Sequence, residues 1–144
     1  MSYCDTMKET LETRVVKRID RKRADVFLRA DFADLGGYDQ VGRVLRALIR
    51  QGKLLKVGFG LYARAVPARL GTLPVPPQGL ATLREALERV GIRTFPSRAL
   101  EDYNAGRTTQ VPTGRVVAVR RRVRRKIGYN GILLSFERAR PAAR

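Results

Sequence analysis

Histidine and tryptophan are both missing from this 144-residue chain, and cysteine occurs once, at Cys4. Without imidazole there is no His general base, no His metal ligand and no Ser-His-Asp triad. A single thiol excludes an intrachain disulfide and a thiolate zinc cluster, and it suits a reducing cytoplasm. Acids are scarce too, 13 against 30 Lys and Arg. Glu85 and Glu88 sit on one helix near Arg84 and Arg89, which reads as surface ion pairing. Glu101 and Asp102 are adjacent and point apart on a helix. No enzymatic activity, metal or cofactor is expected. No apolar run approaches the ~20 residues of a membrane span, and Met1 to Thr10 has no signal-peptide core. The basic residues are spread over several elements, unlike a membrane-surface helix. A cytoplasmic protein without a membrane partner is expected.

What is abundant is positive charge. The net charge is +17 in a chain that is 44% hydrophobic, a globular composition with a polyanion as its natural partner. Pro67, Gly71, Pro74, Pro76 and Pro77 mark an extended connector. The expected organisation is therefore a first domain over 1–66, a Pro-rich linker over 67–78 and a small basic domain over 79–144. The first part carries 14 basic and 8 acidic residues up to Val66, and the remainder carries 16 and 5.

Periodicity predicts the elements of the first part. Met7, Leu11, Val15 and Ile19 recur every fourth residue as the inner stripe of a helix, with Asp5 as its cap. Asp25 to Arg29 reads as a short strand, and Ala30 to Leu35 as a brief helix stopped by Gly36-Gly37. Asp39 then caps a helix to about Gln51, with Val41, Val44, Leu45, Leu48 and Ile49 inward. Leu54–Val57 and Leu61–Arg64 flank Gly58-Phe59-Gly60 as a hairpin. This is the element order of a winged helix-turn-helix.

The second part reads as a small α+β unit with an antiparallel sheet. Its helices are Leu80–Val90 and Ser97–Asn104. Its strands are Ile92–Phe95, one holding Val116, Val117 and Val119, and Gly131–Glu137 after a Tyr129-Asn130-Gly131 turn.

The helix from Asp39 is the candidate recognition helix. Tyr38, Gln40, Arg43, Arg46, Ala47 and Arg50 fall off its apolar stripe, with no acid after Asp39. In a major groove Arg forks onto guanine and Gln onto adenine. Gln40, Arg43 and Ala47 would face base edges, and Arg46 and Arg50 phosphate or a neighbouring base. The hairpin is the candidate wing, with Lys53, Lys56 and Arg64 for phosphates and the minor groove. Phe59 is either an exposed tip or a residue folded back on the hairpin. Arg120, Arg121, Arg122, Arg124, Arg125 and Lys126 put six charges in seven residues, either a phosphate-binding hairpin or a flexible one with no specific target. Lys126 to Gly131 superficially matches the GxxG loop of KH domains. That loop lies between helices, and here a strand follows, so a hairpin turn is the simpler reading.

Phe32-Ala33-Asp34-Leu35-Gly36, Val41-Gly42-Arg43-Val44-Leu45, Gly52-Lys53-Leu54 and Gly60-Leu61-Tyr62 together resemble the winged-helix domain of AbiEi-type antitoxins and related stand-alone regulators. Pro96-Ser97-Arg98-Ala99-Leu100, Asn104 and Thr109-Gln110-Val111-Pro112 are similar to the start of that family's second domain. The resemblance implies a promoter-binding repressor of its own operon, paired in AbiEi systems with a nucleotidyltransferase-like toxin. The part after Val66 is shorter than in long members, so DNA binding is implied more directly than toxin neutralisation. Double-stranded DNA is the expected partner, with a symmetric homodimer compatible with it. The alternatives are an antitoxin that neutralises a nucleotidyltransferase-like toxin, in a type IV toxin–antitoxin pair, and a structured-RNA binder.

Overall fold

The computed structural model describes residues 9–69 and 71–140. It is a mixed helix-and-strand protein, with a three-stranded antiparallel sheet in the order β1-β3-β2 between two layers of side chains. β1 is Val26–Leu28, β2 Leu54–Gly58 and β3 Leu61–Arg64. Helices α1 (Leu11–Arg21) and α2 (Tyr38–Arg50) belong to the first part, and α3 (Leu80–Arg89) and α4 (Arg98–Asn104) to the second.

Alternation along the strands builds two cores from one sheet, because successive side chains point to opposite faces. Phe27, Leu54 and Tyr62 join Val15 and Ile19 of α1, Phe32, and Val41, Leu45 and Leu48 of α2. Val26, Val57, Leu61 and Ala63 join Leu83, Ala86 and Leu87 of α3 with Val117, Val119, Ile127 and Leu134. Residues before and after the Pro-rich stretch therefore share a core. That stretch also folds back, since Val66 and Val75 exchange both backbone hydrogen bonds at 2.8 and 2.9 Å. The Asn130 Nδ2 group ties it down further by donating to the Pro74 carbonyl at 2.8 Å.

Helix boundaries follow capping chemistry. Thr10 caps α1 by accepting from the Thr13 N–H at 3.1 Å. Asp5 and Met7, the expected cap and first stripe residue, lie outside the described residues. α2 starts before the expected Asp39 cap: Gly37 is the N-cap, and Gln40 Oε1 accepts the Gly37 N–H at 3.4 Å. Asp39 instead lies in the first turn, where the helix dipole favours its charge. The brief helix expected over Ala30–Leu35 is a 3-10 turn at Arg29–Phe32. Asp31 closes that turn by accepting the Leu28 N–H at 3.0 Å.

The second part departs further from expectation. No strand forms over Ile92–Phe95; Phe95 makes a lone bridge to Ala118, and Pro96, which has no N–H, stops any extension. The single strand expected from Gly131 to Glu137 is split. β5 (Gly128–Tyr129) and β6 (Ile132–Leu133) form the antiparallel Asn-Gly hairpin. β7 (Ser135–Arg138) pairs parallel with β4 (Val116–Val119) rather than antiparallel. Parallel pairing requires a long crossover, and the basic run with its hairpin supplies one.

Two carboxylates of the first and second parts lock α3 to the sheet. Among the described residues Glu85 makes no ion pair; its Oε2 accepts the Asp25 and Val26 N–H groups at 3.1 Å each. Asp31 receives Arg89 at 2.6 Å and Lys22 at 3.2 Å. Burial works to raise the Asp31 carboxyl, but the Leu28 N–H, Arg89 and Lys22 together hold it below its ordinary 3.8. A depressed carboxylate stabilises the fold above its unfolded value and loses that contribution as pH falls through the folded one. The melting temperature should therefore fall on acidification below about pH 4. Asp31→Asn should flatten that fall in melts recorded against pH; parallel curves for the two proteins would remove Asp31 as a cause.

Candidate nucleic-acid interface

The 3-10 turn and the Gly36-Gly37 break aim α2 so that Val41, Leu45 and Leu48 are buried. Gln40, Arg43, Arg46 and Arg50 are exposed in consequence, and Ala47 is half-buried. Among the described residues no ion pair involves Arg43, Arg46 or Arg50. Their charge therefore faces solvent without an internal partner. Tyr38 is 68% exposed at the first position of the helix.

Arg29 completes this end of the helix, and its part is not visible in local sequence. Its guanidinium lies 3.5 Å from the Tyr38 ring centroid and donates to the Tyr38 carbonyl at 2.6 Å. A Cβ at position 42 would collide with Arg29 Nη2. A glycine inside an otherwise strong helix, disfavoured by propensity, was the one sequence sign of that close approach.

The hairpin β2–β3 separates its expected DNA contacts. Lys53, Lys56 and Phe59 are exposed, and Phe59 stands out from the turn at 82% exposure rather than folding back. Arg64 is elsewhere, at the end of β3 paired with Leu54, away from the turn. Its Nη2 donates to the carbonyls of Ile19, Lys22 and Ala24 at 3.1, 2.9 and 3.2 Å, and its Nε lies 3.4 Å from Asp25. It ties down the C-terminal end of α1 and the chain that leaves it, where carbonyls lack the i+4 partners of the helix interior.

The basic run is neither a hairpin nor loose along its length. Val123, its one apolar residue, packs against the shared core, and Ile127 just beyond it is fully buried. These two anchors divide the charges. Arg125 and Lys126, which follow Arg124, pass over the β2–β3 turn, where Arg125 Nη1 approaches the Phe59 carbonyl at 3.5 Å, the long end of a hydrogen bond. Gly58 permits this passage: a Cβ there would lie 2.9 Å from Ile127 Cδ1 and 3.3 Å from the Lys126 carbonyl. Arg120, Arg121 and Arg122 instead line an open cavity of about 440 Å³ with Phe136, Glu137 and Arg138. Arg120 and Arg93 also stack on Phe95, at 4.7 and 5.2 Å from its centroid.

The structure thus brings the hairpin tip together with one half of the basic run, a juxtaposition across 66 residues of sequence. It places the other half at a different surface, with Arg93 and Arg138 as unexpected companions. Among the described residues no group of three or more acids and cysteines is placed to hold a metal ion. Nor is any helix there long and apolar enough to cross a membrane. No protein-family model, curated protein or solved structure matches the chain.

Proposed function

We propose that this protein binds double-stranded DNA through a winged helix-turn-helix and acts as a sequence-specific transcriptional repressor, of the kind implied by its resemblance to AbiEi-type regulators. The observation that carries the reading is the exposed arginine row of α2, with no acid after Asp39, next to a cation-flanked hairpin. α2 would enter the major groove, where Arg43 reads a base edge and Arg46 and Arg50 hold phosphates. Lys53 and Lys56 would follow the adjoining backbone with Arg124, Arg125 and Lys126. Arg64 has no part in this contact, because its donors already serve α1.

Competition tests the substrate class. The full chain should retain a labelled duplex against structured RNA at matched salt, and displacement by RNA would overturn the proposal. The basic run has its own signature. Each phosphate contact changes the slope of log affinity against log salt by roughly 0.9. Arg124→Ala should therefore weaken cognate and random duplexes alike and shallow the slope by about one contact. An unchanged slope would place Arg124 off the phosphate backbone.

A further inference from the structure

We propose that Phe59 is a wedge that enters a base step of duplex DNA from the minor groove and kinks it. The inference rests on the duplex-DNA reading above. Single exposed apolar residues are ordinary on protein surfaces, but three features distinguish this one.

The first is its mounting. Phe59 and Gly60 form the turn between β2 and β3, and Gly60 takes the left-handed φ of +68° that the turn requires. The second is bracing. The Lys126 carbonyl and the Ile127 side chain lie against Gly58, and Arg125 approaches the Phe59 carbonyl. The turn is held from one side while the ring, 82% exposed, projects away from the core beside it. A braced tip loses less freedom on binding, which lowers the ordering cost of its contact. The third is the chemistry of its neighbours. Lys56, Arg124, Arg125 and Lys126 are all exposed, and they suit the phosphates that flank a base step. The Phe59 ring has no hydrogen-bonding group to offer a phosphate or a base edge. Its one strong use in such a setting is stacking against an opened step, as apolar wedges of minor-groove proteins do.

The ligand class follows from the cost of opening that step. Pyrimidine–purine steps such as TA and CA unstack most readily, whereas A-tracts are stiff. The hairpin should therefore favour duplexes that carry a flexible step where the wing lands.

The experiment uses the full chain and two short duplexes, one with a central TA step and one with an A-tract in its place. A fluorescent adenine analogue at the centre reports unstacking, and dyes at the ends report bending. The wild-type protein should raise the analogue's fluorescence, shorten the end-to-end distance and prefer the TA duplex by about tenfold. Phe59→Ala should abolish the fluorescence rise and bring the affinity ratio to about one. Phe59→Leu, still apolar, should keep most of both, which separates loss of the wedge from loss of the fold. Binding without unstacking, or unstacking that survives Phe59→Ala, would overturn the wedge and leave the DNA reading standing. Absence of any duplex binding would overturn both.

Discussion

Replacing Ile127 with Ala is expected to destabilise the protein by about 2–5 kcal/mol, the range for truncating a buried isoleucine. Ile127 is fully buried in the cluster that contains Val26, Val57 and Leu61 of the sheet and Leu83 and Leu87 of α3. Its carbonyl also accepts the Leu134 N–H at 2.9 Å, which fixes the crossover before β7. The cavity left by the missing atoms would border Gly58, which has no side chain to move into it. Against a typical total of about 5–15 kcal/mol, such a loss is large. Urea unfolding should show a lower midpoint with an unchanged slope and a single transition, because both parts of the chain share this core. A change of less than about 1 kcal/mol would mean that the segment is not packed as described.

Arg43→Ala should cost about 1–3 kcal/mol on the cognate duplex and little on random duplex. Each 1.4 kcal/mol is a tenfold change in affinity, so a titration of each duplex at one salt concentration resolves the difference. Arg43 is singled out over Gln40 for a geometric reason. A glutamine reads adenine with its oxygen and nitrogen together, and Gln40 Oε1 already accepts the Gly37 N–H at the start of α2. Using Gln40 on a base would first open that cap. Arg43 is exposed and has no such commitment among the described residues. Equal losses on both duplexes would show that Arg43 contacts phosphate rather than a base edge.

Local pattern made much of the first part legible. Val41, Leu45 and Leu48 mark the inner face of α2 by spacing alone, and that spacing also exposes Arg43, Arg46 and Arg50. The glycines around Phe59 announce the β2–β3 turn, and Asn130-Gly131 announces β5–β6, with both residues at positive φ. The helix starts were less legible. A cap depends on which N–H groups remain open once the chain is packed, and both Asp39 and Gly37 are acceptable candidates in isolation. Arg64 shows the limit for a charged residue. Its charge suits phosphate, yet its donors are taken by the carbonyls of Ile19, Lys22 and Ala24.

The sequence by itself determined the excess of positive charge, the amphipathic helices and the tight turns, because each depends on residue chemistry or on spacing within a few positions. Tertiary structure decided what those parts meet. It buried both faces of the sheet, made β4 and β7 parallel, moved Glu85 from the expected surface pairing onto the backbone of β1, and brought Asp31 to Arg89 of α3. It also split the run of basic residues at Val123, setting Arg125 and Lys126 against the hairpin and Arg120 to Arg122 elsewhere. Such outcomes depend on contacts between residues tens of positions apart, and no periodicity within an element carries them.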